Sequence, residues 1–568
     1  MNLNDQWVVN FVLQVGAVDQ QVTVEADRLQ VDLQTPAASG VANGNQIREL
    51  PLNTRNYALL VALQPGVSAN LASDQLYVGV SGPNGSVNQL NFSVNGARPE
   101  ENNWTLDGAD NLDRGRNNTL LACPSVESLE EFRLLRGNYS PEFPSGASGQ
   151  VIAMTRSGTS QFRGSVYEFF RNDVLASNNY FNNRNNLPRP PLRYNNFGFT
   201  IGGPLSSSGK ANKDKNKTFF FYSEEWRRVI DYSTLISRTM PTVAQQQGAF
   251  TEPVCTQPVF DPVTGACAGP TTTQITSIDP TAAAYIKDIY SKLPAPGGDG
   301  NIAATAKNQY DFRGETIRVD HVFGPTLSIF GRVINNSIPT LESTGLLAGL
   351  ALPGIATTRT SAPGRGLAVR ATMTFTPTLL NEIGYAYSYG AVVSDPIGLV
   401  NSQTSSDIRP VLPFASPLNR VPDLSFFAGQ GIFGFGLYRD YNRNHAVLDT
   451  ATKVAGKHTL RGGFTYSHYE KDESRGRDTN GSYSFYGNDP AGNYTFEQEW
   501  ASFLLGNVAN FSQIGAAGRH TAECCRIFRT GRVSRALESD AVVWISLVAV
   551  PATHRRSWPR QYFRSRGV

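Results

Sequence analysis

From Glu315 to Ser337 the chain reads ETIRVDHVFGPTLSIFGRVINNS, two alternating runs joined by Gly324-Pro325-Thr326. Ile317, Val319, His321 and Phe323 share one face, with Arg318 and Asp320 opposite. After the turn, Leu327, Ile329, Gly331 and Val333 oppose Ser328 and Arg332. A period of two is the strand period. LAVRATMTFTPTLLNEIGYAYSYG repeats it: Leu367, Val369, Ala371, Met373 and Phe375 against Arg370, Thr372 and Thr374, then Ile383, Tyr385, Tyr387 and Tyr389 against Glu382, Gly384 and Ser388. KHTLRGGFTYSHY does so once more. These runs last about 9–11 residues, longer than the ~5–6 of ordinary strands and long enough to cross a bilayer when tilted.

A soluble two-sheet sandwich alternates as well. The connections favour a barrel. Very short turns (Gly324–Thr326, Thr376–Thr378, Gly456-Lys457) alternate with long loops rich in Asn, Gly and Pro (172–196, 235–310, 335–365, 390–440). Short turns at one end and long loops at the other are the layout of an outer-membrane barrel. About ten such strands precede residue 517, and no repeat of fixed period suggests a propeller or solenoid. Charged residues make up 17% of the 568, below the ~25% usual for soluble domains. The net charge of +3 gives no electrostatic reason to expect nucleic acid. No window of 18 apolar residues exists, the longest greasy run being Ala541–Val550, so a membrane protein of this composition crosses with strands.

Upstream the texture differs. Residues 1–38 alternate like the end of a small β-sandwich, and the N-terminus lacks the features of a secretion signal. Residues 43–157 mix elements. Leu50, Tyr57, Leu60 and Leu63 predict a helix stopped by Pro65-Gly66. NQLNFSVNGARPEENNWTLDGADN predicts a hairpin turning at Asn95-Gly96, with Leu90, Phe92 and Val94 on one arm and Trp104 and Leu106 on the other; Asp107-Gly108 marks a further turn. PSVESLEEFRLLRG predicts a helix start running into a strand near Phe132–Leu135. QVIAMTRSG is a short buried strand, preceded by small residues built for close backbone approach. After about Ala517, Asn and Lys vanish and about ten Arg appear. This stretch is read as the product of a shifted reading frame, the alternative being a basic arm.

Catalytic and metal-binding patterns are missing. The six His are scattered, and no HExxH, Walker loop, GxSxG or GxGxxG occurs. Asp107, Asp110 and Asp113 lack EF-hand spacing. Glu224 and Glu225 fall on opposite strand faces and form no carboxylate pair. Arg318, Asp320 and Arg332 predict a charge ladder facing a lumen. No cofactor is expected, and no enzyme. Cys255 and Cys267 flank a Pro- and Gly-containing loop; a disulfide there contributes about 3 kcal/mol in an oxidising compartment, the alternative being two unpaired thiols.

ELPLNTRNYALLVALQPGV, VNGARPEENNWTLDGADN and the run from Pro124 to Phe170 occur in the order of the plug segments and first barrel strand of TonB-dependent outer-membrane receptors. With RVDHVF, GKHTLRGGFTY and ASFLLG, the chain resembles that family, specifically the Oar-like group carrying a carboxypeptidase-regulatory-like domain. The resemblance implies a mainly β fold in four parts: the end of the regulatory-like sandwich (1–38), a small α+β plug (39–158), a partial transmembrane antiparallel barrel (159–517) and an aberrant basic tail (518–568). It implies a plug motif at Asn95, Gly96, Arg98, Asp107, Gly108 and Asn111, and a plug–barrel junction at Gly146, Gly149, Gly158 and Gly164. It further implies residence in the outer membrane among its lipids, a TonB-type inner-membrane energising complex as partner, an extracellular substrate, and transport of a bulky solute by a protein here truncated. The competing reading is a secreted or surface β-rich adhesin or glycan binder.

Overall fold

The computed structural model describes residues 38–549 apart from residues 51, 53–54, 56, 70–91, 115–118, 140–142, 144–147, 206–216, 234, 346–351, 415–417, 435–436, 457, 475–479, 514–518 and 534–540. The expected sandwich remnant, Gly146 and Leu90 lie outside the described residues.

Two sheets organise the chain. The smaller has five strands: β1 (Ala38–Asn43), β2 (Asn103–Leu106), β3 (Ala109–Asp110), β4 (Leu129–Gly137) and β5 (Gln150–Thr155), in the order β1-β4-β5-β2-β3. Only β2 and β5 pair in parallel. The larger sheet is an antiparallel meander in which each strand lies beside its predecessor: β6 (Arg163–Asn172), β7 (Leu192–Pro204), β8 (Thr218–Tyr232), β9 (Lys307–Gly324), β10 (Leu327–Ser337), β11 (Gly364–Thr376), β12 (Leu379–Pro396), β13 (Tyr438–Ala455), β14 (His458–Ser474), β15 (Arg519–Val533) and β16 (Ala541–Ala549). Two short strands, Pro339–Glu342 and Thr358–Ser361, continue β10 and β11 and complete its thirteen members. Nine staves, β6 to β14, precede residue 517, close to the number expected. The basic stretch beyond it supplies the backbone of β15 and β16.

The alternation seen in sequence sorts the side chains. Ile317, Val319, Val333, Val369, Ile383, Tyr385, Val447 and Leu460 face outward, each 38–48% exposed. Several are cross-strand neighbours, as in Ile317 with Val333 and Val369–Tyr385–Val447 across three staves, and they form an apolar belt interrupted at Asp449, which lies between Ile383 and Phe464 and accepts from Asn381 Nδ2 at 2.6 Å. Phe323 and Phe375 close it beside the short turns. At the far ends of the strands the outward positions become charged: Arg313 pairs with Glu224 and Glu315, and Arg443 with Glu470. β9, β12 and β13 each run 18 residues, well beyond the 9–11 expected. The excess carries the polar ends and not the belt. One continuous sheet with an apolar outer face is no pair of soluble sandwiches. Among the described residues no helix is long and apolar enough to cross a membrane.

The plug sheet packs inside the curve of this wall, and one core serves both. Trp104, Leu106, Phe132, Leu134 and Val151 of the plug meet Tyr194, Val229, Tyr310, Phe312 and Ile334 of the wall. Full burial of one such side chain stabilises by about 1.5–3 kcal/mol.

Three local expectations are corrected. The hairpin at Asn95-Gly96 does not pair Phe92–Val94 with β2. Phe92–Val94 pairs with Val67–Ala69, whereas β2 joins β5. Pro99 opens a 3-10 turn (Pro99–Glu101) and has no N–H to extend a ladder, so the chain is redirected. Asn102 Nδ2 instead donates to Phe92 O at 2.6 Å. The tight hairpin forms at Asp107-Gly108, where both φ values are positive. The helix before Pro65 is only Ala58–Ala62, leaving Leu50 and Leu63 exposed. The helix start near Glu127 is a single 3-10 turn, Val126–Ser128, with Ser125 Oγ accepting from Ser128 N.

The long connections hold a further surprise. The described residues of segments 233–306, 343–357, 397–437 and 475–518 fold together around a second apolar core that includes Tyr285, Tyr290, Ile355, Val400, Phe426, Phe485, Trp500 and Phe503. Phe426 touches the rings of Phe485, Phe496, Trp500 and Phe503. Cys255 and Cys267 form a disulfide within this body. The sequence reading of 235–310, 335–365 and 390–440 as long polar loops missed it, because the apolar residues are spread over four segments with no shared period; ASFLLG, expected as a barrel segment, instead falls largely in a helix of this body, Phe496–Leu504.

Candidate plug–barrel interface

The turn between β2 and β3 is a knob pointing at the wall. Asp107 occupies a left-handed conformation (φ 51°), as does Gly108 (φ 80°). Asp107 Oδ1 accepts from Thr155 N and Oδ2 from Thr155 Oγ1, both at 2.9 Å, tying the knob to the end of β5. The wall supplies three arginines from adjoining staves. Arg332 Nε of β10 donates to Asp107 Oδ2 at 2.9 Å and its Nη2 to Leu106 O at 3.0 Å. Arg318 Nη1 of β9 lies 3.6 Å from Asp107 Oδ1 and donates to Thr155 O at 2.9 Å, while its Nη2 holds Asp320. Arg370 Nη2 of β11 reaches Asp107 O at 3.4 Å. A Cβ on Gly108 would overlap Arg370 Nη2. Burial by itself would raise the Asp107 carboxyl, but Arg332, Arg318 and the two bonds from Thr155 outweigh it and hold the group below the usual carboxylate range.

Beyond the knob, Ala109 packs on Ala386 and Ala446 of the wall, a contact that needs small residues on both sides. Asn111 pairs with the backbone of Ala122 through both ends of its amide, at 2.7 and 2.9 Å, and so shapes the loop 119–123. That loop presses on the wall where glycines make room: a Cβ on Gly364 or Gly390 would run into Leu121 backbone. Cys123 N donates to Asn336 Oδ1 at 2.7 Å. Asp113 receives Tyr469 Oη at 2.7 Å and Lys471 Nζ at 2.8 Å, both from β14.

At the junction, Gly149 N donates to Asn102 Oδ1 at 3.1 Å, and a Cβ there would crowd Val94 and Asn102. Gly158 passes against β8, where a Cβ would overlap Phe220 O; Gly164 crosses Thr200 O in β7 with similar closeness. Arg55 of the plug pairs with Glu127 at 2.6 Å and lies over the Phe169 ring of β6. Burial raises the Glu127 carboxyl despite Arg55 and Arg48.

Of the motif residues expected, Asp107, Gly108 and Asn111 serve the wall contact. Asn95, Gly96 and Arg98 do not reach it: Asn95 Nδ2 donates to Arg136 O and shapes a turn, and Arg98 N donates to Glu101 within the 3-10 turn. The expected ladder of Arg318, Asp320 and Arg332 faces inward, and its partner is the knob itself. Arg370, Asn336, Tyr469 and Lys471 were not singled out from sequence, although Arg370 lies on the same inward row. Glu224 and Glu225 point apart, the former to Arg313 and the latter to Arg227. His321 sits in the wall, with Nδ1 2.8 Å from Thr218 Oγ1.

Residues 154–523, more than half of the chain, match the family model described as an outer membrane beta barrel domain. The chain belongs to this family. Membership places it in the outer membrane, as the apolar belt requires. A curated relative, the TonB-dependent transporter Oar of Myxococcus xanthus, is 29% identical over 149 residues, which is 24% of this chain and 13% of Oar. Among solved structures, the outer membrane transporter YddB of Escherichia coli shares the fold at a TM-score of 0.50 and 11% identity, over 87% of this chain and 54% of YddB. The siderophore receptor PirA of Acinetobacter baumannii is similar at a TM-score of 0.47 and 12% identity, over 89% of this chain and 55% of PirA. The chain thus spans about half of the solved barrels it matches and a small part of Oar. The likeness to YddB shows a shared fold, and the Oar match covers one part of the chain. The relatives are transporters and receptors, not enzymes.

Proposed function

We propose that this chain passes an extracellular substrate across the outer membrane, with the plug as the moving part and the Asp107 socket as the catch that holds it. The observation behind this is that one plug carboxylate, sealed from solvent, is gripped by arginines from separate staves, while the rest of the contact, an apolar core, the Lys471–Asp113 pair and hydrogen bonds, is wholly non-covalent. Energy would come from a TonB-type complex of the inner membrane acting on the plug. Lipid would cover the belt from Ile317 to Leu460. We assign 39–158 to the plug and 159–517 to the barrel, with 1–38 as the end of a regulatory-like sandwich and 518–568 as a compositionally foreign tail.

The test uses the full chain in detergent and in outer-membrane vesicles. Gel migration that changes on heating, together with protection of Cys123 from maleimide read by peptide mass, is expected for the wild type. Asp107→Asn should expose Cys123 while leaving the heat-dependent migration intact. Recovery of folded protein from the aqueous fraction without amphiphile would refute the reading.

A further inference from the structure

The body built from the long connections exposes one aromatic side chain far more than its core would lead one to expect. Phe427 is 87% exposed, next to Phe426 in the core. Its ring meets Tyr494 edge-on, with centroids 5.4 Å apart. Both are held from beneath by one buried carboxylate: Glu499 accepts from Phe427 N at 2.7 Å, Ala428 N at 2.8 Å and Tyr494 Oη at 2.8 Å. The hairpin bearing Tyr494 is fixed in turn. Asp489 accepts from Ala491 N and Asn493 N, Asn488 Nδ2 donates to Gly265 O, and Cys267 N donates to Asp489 O. An exposed ring held this rigidly loses little freedom when something stacks on it.

The charges narrow what that is. The three stretches that meet here, 255–270, 421–434 and 480–513, contain no Lys or Arg. The four segments of the body carry seven Lys and Arg against eleven Asp and Glu, in a chain whose net charge is +3; including the loop 173–191 makes it nine against twelve. An anionic ligand meets repulsion. Most acids of these stretches are held in place, Asp261 by Val263 N and Thr264 N, Asp423 by Arg420 and Gly434 N, and Asp489 and Glu499 as above, while Glu497 is exposed. Carboxylates and backbone carbonyls left beside the rings are acceptors that suit hydroxyl donors.

We propose that Phe427 and Tyr494 form a stacking platform for a neutral sugar ring, so that the substrate class recognised is an uncharged extracellular glycan. A pyranose presents a face of C–H groups to an aromatic ring and hydroxyls to a rim of amides and backbone groups. This rests on the receptor reading above, because it places these connections on the substrate side.

Calorimetry on the full chain in detergent tests it, with maltohexaose, cellohexaose and xylohexaose as neutral probes, a ferric tris-catecholate as the anionic probe and hexalysine as the cationic one. At least one hexaose should bind. Phe427→Ala should weaken it at least tenfold, and Phe427→Trp should stay within threefold of wild type. Binding of none of the hexaoses, binding of the catecholate or hexalysine alone, or an unchanged affinity in Phe427→Ala overturns the proposal. Heat-dependent migration measured on the same samples reports separately on the receptor reading.

Discussion

Arg332 Nε and Asp107 Oδ2 stand 2.9 Å apart with both side chains sealed from solvent, one on the wall and one on the plug. The pair is 225 residues apart in sequence. Holding two charges out of water is tolerable only because each has further partners: Leu106 O for the arginine, and Thr155 and Arg318 for the carboxylate.

Removing one member strands the other. Arg332→Met should weaken plug docking by about 3–5 kcal/mol, the usual scale for breaking a buried pair. Hydrogen exchange of β2 and β5 would show it as lost protection in the plug, with β13 and β14 unchanged.

Gly108→Ala should also loosen the knob. The position has φ +80°, and a methyl group meets Arg370. The backbone alone costs about 1–2 kcal/mol in this region. The measurement is the same exchange experiment, and Gly96→Ala serves as control, since it has the same kind of φ with open space around it.

Acid should undock the plug. The Asp107 carboxyl is held below its ordinary value of 3.8 when docked, so the undocked state binds the proton more readily. The stabilisation is therefore fully present well above pH 3.8 and is lost as the pH falls through the lower docked value. Cys123 labelling against pH should rise on the acid side, and Asp107→Asn should flatten that rise.

Replacing Cys255 and Cys267 by Ser should destabilise the outer body by about 3 kcal/mol, the scale for a loop of this length. Limited proteolysis should cut first between residues 255 and 267, with the staves left whole.

A charge on the belt should be resisted where the strand crosses the membrane. Val369→Lys, flanked by Gly331 and Tyr385, should cost about 2–4 kcal/mol near the bilayer midplane. Arg365→Lys, four residues nearer the polar end, should be nearly neutral. Refolding into lipid vesicles under urea measures both.

The wall was legible because its rule is local. A side-chain period of two and a turn at Gly324 or Pro377 are written in neighbouring residues, and the structure follows them. The inward row of Arg318 and Arg332 was visible for the same reason. Its partner was not, because nothing near Asp107 in the chain announces an arginine 225 residues later. The turn at Asn95-Gly96 misled for a related reason: the local signal was right about the bend and silent about which strand would come to lie alongside. The outer body escaped altogether, since its aromatic core draws single residues from four separated stretches.

That shared core has a mechanical consequence. Four return segments that might have swayed independently are welded at Phe426 and Trp500, so a tug on any one is transmitted to the rest. Lengthening or trimming a single segment would disturb all four. Change of ligand in such a protein is then easier by repainting the exterior, at positions such as Phe427, than by remodelling the architecture beneath it.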